Sequence, residues 1–175
     1  FPLEQVYFHG NNKSAEELRQ ALKGGVGRVV VDNFHEIALL ERLAAEAGVA
    51  QPILLRLSPG IDPHTHRLTS TGVVDSKFGF LMAQAEAALV EARRAPHLRL
   101  VGIHFHLGSP LFEVEPYKEA MAVVWRFLAE MKARHGFEPQ EFENPYILPA
   151  VIGGALFLTA VSGVALYSYL RKPKQ

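Results

Sequence analysis

The fold reading turns on residues 100–106, Leu100-Val101-Gly102-Ile103-His104-Phe105-His106, with Leu107-Gly108-Ser109 directly behind them. The run starts apolar and ends on two imidazoles, and a glycine and a hydroxyl follow. A continuous apolar strand with a polar C-terminal end is typical of parallel sheets, where ligands collect at the C-terminal ends of the strands.

Three runs upstream share this grammar. Val6-Tyr7-Phe8 ends in His9-Gly10-Asn11-Asn12-Lys13, and Arg28-Val29-Val30-Val31 ends in Asp32-Asn33. Pro52-Ile53-Leu54-Leu55-Arg56-Leu57 opens at Ser58 into a long loop that reaches residue 80. A helical segment follows each run. Ser14 and Glu17 fit the capping-box spacing, which predicts a helix from there to about residue 23, ended by Gly24-Gly25. The second helix is expected to run to about residue 47 and close at Gly48, with Leu39, Leu40 and Leu43 on one side. The third is expected over residues 81–94 and the fourth over about 114–134. Strand and helix therefore alternate four times, the pattern of a parallel sheet with crossover helices. A doubly wound sheet and a (β/α) barrel both satisfy it. Four strands make half of a barrel, and a whole one takes about 250 residues, so the barrel reading expects an incomplete chain. The start, Phe1-Pro2-Leu3-Glu4, has no initiator Met and no signal peptide, and reads like the middle of a longer protein.

Composition removes several function classes. The 18 basic and 18 acidic residues cancel, and there is no basic run, so nothing marks a nucleic-acid partner. Without cysteine there is no disulfide scaffold, Cys-ligated zinc, iron–sulfur cluster or thiol catalysis. No Gly-x-Gly-x-x-Gly fingerprint or P-loop is present, which argues against a nucleotide site.

The hydrophobicity is uneven. Asn144 to Leu170 carries no charge, and Arg171-Lys172-Pro173-Lys174 follows. Residues 146–170 exceed the roughly 20 needed to cross a bilayer as a helix. Tyr146, Tyr167 and Tyr169 stand at the ends, as interfacial aromatics do, and Gly153, Gly154, Ala160 and Gly163 would allow close helix packing. The expectation is a linker over residues 140–145, a transmembrane helix over 146–170 and a basic tail over 171–175. Membrane contact through 146–170 then becomes a partner expectation, and the basic end predicts a cytoplasmic C-terminus.

On a strand, His104 and His106 share the face opposite Ile103 and Phe105. Such a pair could bind a metal, contact another ligand or serve as hydrogen-bonded interior residues, and spacing alone leaves all three open. His64 and His66 form a second pair, on the loop. Gly108 and Ser109 after the strand could admit an anion, often phosphate, or form an ordinary turn. Loops of more than about 12–15 residues tend to be functional or disordered, so the stretch with Asp75-Ser76-Lys77-Phe78-Gly79-Phe80 is a lid or interface candidate.

Taken as an ordered set, these motifs resemble the diaminopimelate decarboxylase family, pyridoxal phosphate (PLP) decarboxylases with an alanine-racemase-like barrel. The set comprises Phe8-His9-Gly10-Asn11-Asn12-Lys13-Ser14, Val30-Val31-Asp32-Asn33, Leu54-Leu55-Arg56-Leu57-Ser58-Pro59-Gly60, His64-Thr65-His66, Asp75-Ser76-Lys77-Phe78-Gly79 and His104-Phe105-His106-Leu107-Gly108-Ser109. The resemblance covers about residues 1–139. It implies an α/β fold made of four consecutive βα units of a (β/α)8 TIM-type barrel, a partial barrel, followed here by the apolar helix.

The resemblance also implies roles. His106 matches the histidine that stacks on the cofactor ring, Ser109 a serine near its phosphate, and Arg56 an arginine facing it from a strand. His9 and Asn11 would line the pocket, and Lys77 would lie near a homodimer interface. The Schiff-base lysine of the family lies upstream of this sequence, so no catalytic residue is assigned, and neither Lys13 nor Lys77 takes that role. No metal is implied. Pro110 departs from the glutamine usual at its position.

The parent activity would convert meso-diaminopimelate, a small amino-acid substrate, to L-lysine and CO2 in lysine biosynthesis. Its location would be cytoplasmic, or membrane-associated if the tail inserts. The chain is expected to be inactive alone, because the Schiff-base lysine and the glycine-rich phosphate loop are missing. The alternatives are a non-catalytic membrane-anchored α/β module and a His–His metal hydrolase.

Overall fold

The structure, a computed structural model, describes residues 1–61, 78–107 and 114–143. A 3-10 turn, Leu3–Gln5, precedes β1 (Tyr7–Phe8), α1 (Ala15–Gly24), β2 (Arg28–Val31) and α2 (Phe34–Ala47). β3 (Gln51–Ser58), β4 (Phe80–Leu81), α3 (Met82–Arg94), β5 (Leu98–Phe105), α4 (Glu115–His135) and β6 (Glu141–Glu143) follow.

Local chemistry sets the helix ends. Ser14 Oγ accepts from the Glu17 amide at 3.2 Å, and the Glu17 carboxylate accepts from the Ser14 amide at 2.8 Å, which completes the predicted capping box. Asn33 caps α2 by accepting from the Glu36 amide at 2.9 Å. The two helices end at Gly25 and Gly48, as the sequence predicts.

Every strand pair is parallel, and the sheet order is β1-β2-β3-β5-β6, with the short β4 paired to β3. The order follows the sequence without reversal. A doubly wound sheet reverses at a switch point, so the barrel reading holds for the described residues. Five flat strands would put β1 and β6 about 19 Å apart. Instead Tyr7 of β1 donates to the Glu141 carboxylate of β6 at 3.3 Å, and Arg28 Nε of β2 donates to it at 2.7 Å. The sheet is curled, and a polar bridge spans one part of its concave face.

Alternation along the strands separates two apolar layers. Val29, Val31, Ile53, Leu55, Leu57, Ile103 and Phe105 pack on the convex side with helix residues such as Leu18, Leu40, Leu89 and Leu128. Val30, Leu54 and Val101, with Tyr7, form a small cluster on the concave side. This is the period of two expected of a strand covered on both faces, broken once in β5 by a register shift at Val101 that puts it on the side opposite Ile103 and Phe105.

Two elements differ from the sequence reading. β4 has only two residues, too few for any periodicity to show. β6 lies where a linker is expected, and it adds a fifth parallel strand to the path after the fourth βα unit. Glu141-Phe142-Glu143 carries no strand-like run, and its pairing comes from register with Gly102, Ile103 and His104. The helix expected over residues 146–170 lies outside the described residues. Among the described residues no helix is long and apolar enough to cross a membrane.

Candidate ligand site at the strand ends

The alternation that sends Val31, Leu57 and Phe105 to the helices sends their neighbours to the concave face. Asp32, Arg56, His104 and His106 therefore converge at the C-terminal ends of β2, β3 and β5, and His9 joins them after β1. The contacts agree with that placement. The His9 and His104 rings lie edge to face with centroids 4.9 Å apart, and Arg56 is in register with His104 across β3 and β5.

Arg56 is fixed from two sides. Its Nη1 donates to Asp32 Oδ1 at 3.1 Å, and its guanidinium lies 4.7 Å from the centre of the Phe78 ring. The other oxygen of Asp32 accepts from the Gly79 amide at 2.9 Å. Gly79 has φ +76°, and a Cβ there would stand 2.8 Å from the Arg56 carbonyl oxygen, so only glycine suits this turn. One carboxylate thus ties β2, β3 and the segment entering β4 together.

The surroundings disfavour the charged forms of His104 and His106. Burial drives the His104 pKa far below the ordinary value, to about 2, and the charges of His9, Arg56 and His106 push the same way. His106 is lowered by the same kinds of cause, burial first and then Arg56 and His9. His104 is 2% exposed, yet among the described residues neither ring nitrogen has a hydrogen-bond partner.

Lys13 serves a different purpose. Its buried ammonium donates to the Gly10 carbonyl at 2.6 Å, the Val30 carbonyl at 2.8 Å and Glu36 Oε1 at 2.5 Å. All three protons are used, and the amine pins the turn after β1 to β2 and α2. Burial raises the Glu36 pKa, against the pull of Lys13.

Of the residues singled out from the sequence, the structure brings His9, Arg56 and His106 together. Asn11 sits exposed in the turn between β1 and α1. Ser109, Lys77, His64 and His66 lie outside the described residues. Among the described residues no group of three or more His, Asp or Glu is arranged to hold a metal ion. The sequence reading assigned no role to Asp32. Alternation along β2 places it on the concave face, but its pairing with Arg56, 24 residues away, has no sequence signal.

The arrangement suits a polar ligand that can meet donors, an acceptor and a ring face. Arg56 supplies a fixed positive charge, His106 a neutral ring, and His104 a donor and an acceptor in a dry setting.

Residues 1–143 match the family model described as "pyridoxal-dependent decarboxylase, pyridoxal binding domain". The chain is 45% identical over 139 residues to diaminopimelate decarboxylase of Bacillus subtilis (strain 168), covering 78% of this chain and 32% of that protein. It is 48% identical over 159 residues to the diaminopimelate decarboxylase of Actinosynnema pretiosum subsp. auranticum, covering 90% of this chain and 35% of that protein. Among solved structures, diaminopimelate decarboxylase from Helicobacter pylori complexed with L-lysine superposes with a TM-score of 0.72 at 33% identity. That match covers 81% of this chain and 36% of the other. The chain spans about a third of the length of the curated relatives it matches.

Proposed function

The chain belongs to the pyridoxal-dependent decarboxylase family, whose cofactor is pyridoxal 5'-phosphate, and from that premise we propose that its strand ends form part of the cofactor pocket of a diaminopimelate decarboxylase. The parent reaction would take meso-diaminopimelate to L-lysine and CO2, in a homodimer. The observation that carries this reading is the convergence of His9, Arg56, His104 and His106 on one concave face at the C-terminal ends of parallel strands.

The residues present fit the group. His106 would offer its ring to the pyridine, and its lowered pKa keeps that ring uncharged beside Arg56. Arg56, held by Asp32 and Phe78, would face the cofactor with its geometry set before binding. His9 and Asn11 would line the rim, Ser109 would approach the phosphate, and Lys77 would lie near the dimer interface. When bound, pyridoxal phosphate supplies an electron sink for the pair released as CO2 leaves. The chain's own part is to orient the ring, hold a fixed positive charge at its edge and exclude water from the buried side.

Equilibrium dialysis of the chain against pyridoxal 5'-phosphate tests the pocket. Saturable binding is expected, weakened about tenfold (about 1.4 kcal/mol) by Arg56→Ala or His106→Ala. Binding that fails to saturate, or that is indifferent to both changes, would sink the reading.

The uncharged stretch from Asn144 to Leu170, bordered by Arg171, Lys172 and Lys174, favours a second reading in which the chain is membrane-attached. Carbonate extraction of membranes from expressing cells tests it: retention supports attachment, and release opposes it.

A further inference from the structure

Building on that pocket reading, we propose that His104 is a cofactor-contacting residue, whose ring nitrogens hydrogen-bond the bound pyridoxal phosphate from the buried side of the concave face. Three observations carry the assignment.

His104 is 2% exposed, and among the described residues neither of its ring nitrogens has a hydrogen-bond partner. A buried polar atom left unpaired costs about 1–3 kcal/mol, and folded proteins rarely keep one without a reason. Two on a single ring mark a place where a partner from outside the chain belongs.

The ring also faces the right way. Ile103 and Phe105 on either side pack with the helices, so His104 points to the concave face. There it meets the edge of the His9 ring at 4.9 Å and stands in register with Arg56.

Its chemistry matches what such a ligand presents. Burial, with His9 and Arg56 nearby, keeps the imidazole neutral, so it offers one N–H donor and one acceptor nitrogen together. An oxygen of the bound ligand can take the donor, and a ligand donor or water can take the acceptor.

The test uses the full chain with its histidines labelled in nitrogen-15. Long-range proton–nitrogen spectra report the state of the His104 ring with and without saturating pyridoxal 5'-phosphate, assigned by comparison with His104→Gln. A cofactor-dependent shift of at least one His104 ring nitrogen is expected. His104→Leu should bind the cofactor about tenfold more weakly by dialysis, and His104→Gln should recover part of the loss. A purely structural role could change melting temperature in the variants but would not move the nitrogen signals of the unmodified chain. If the unmodified chain binds and the His104 nitrogens stay still, the contact is refuted while the pocket reading stands. If the unmodified chain does not bind at all, both fall.

Discussion

Asp32 at the end of β2 accepts a 3.1 Å hydrogen bond from Arg56 of β3, and both side chains are largely shielded from water. The second oxygen of the carboxylate holds Gly79, so one residue fixes both the charge of the site and the segment beside it. Breaking a buried pair from one side leaves a desolvated charge, at a cost of about 3–5 kcal/mol. Asp32→Ala is therefore expected to lower urea stability by roughly 3 kcal/mol. Asp32→Asn should cost less, because an amide oxygen can still accept from Gly79. An unchanged midpoint in Asp32→Ala would show that the clamp contributes nothing.

The Lys13–Glu36 pair is almost fully enclosed, with side chains 2% and 4% exposed. Lys13→Met alone should destabilise by about 3–5 kcal/mol, because Glu36 is left buried without its cation. The double change Lys13→Met with Glu36→Leu should be closer to the parent than Lys13→Met is, with a coupling above about 1 kcal/mol. Additive losses in chemical denaturation would contradict this account.

Acid should weaken the fold partly through His104. Its folded pKa is about 2, against 6.5 for the free side chain. Between those values the unfolded chain binds a proton that the folded chain does not, so stability falls as pH drops below about 6.5. The slope from this group is at most about 1.4 kcal/mol per pH unit. His106 acts in the same direction, while the raised Glu36 pKa acts in the opposite one just above its ordinary value. Both are shared by parent and His104→Gln, so the difference between the two isolates His104. The variant should show the shallower decline from pH 6.5 to 4.5, and parallel curves would count against a neutral buried imidazole.

Gly102 lets β6 approach β5. A Cβ at this position would overlap the Glu141 carbonyl and stand 2.9 Å from Leu54 Cδ2. Gly102→Ala should therefore cost about 1–3 kcal/mol, since the Glu141 backbone cannot retreat without breaking its pairing with β5. Circular-dichroism melting would register this as a fall of several degrees, and a neutral result would mean that β6 is free to move aside.

The strand and helix order, the Ser14 cap and the glycine stops were legible because each depends on neighbours a few residues away. Val29, Val30 and Val31 announce a buried strand by composition, and Ser14 with Glu17 announces a helix start by spacing. β4 and β6 escaped notice because two or three residues carry no period, and their partners lie elsewhere in the chain. The motifs give roles to His106 and Arg56 but none to Asp32, which stands in a motif as well, and the empty hydrogen-bonding capacity of His104 leaves no trace in sequence.

By itself, then, the sequence determined a run of βα units, their boundaries, and which side chains could stand at the strand ends, since local hydrogen bonding and alternation decide those things. Only the tertiary structure decided that the sheet curls far enough for Tyr7 and Arg28 to reach Glu141, that Asp32 clamps Arg56, and that His104 is sealed from water. Those outcomes depend on strand register and curvature, which bring residues tens of positions apart within hydrogen-bonding distance and exclude the solvent that would otherwise satisfy them.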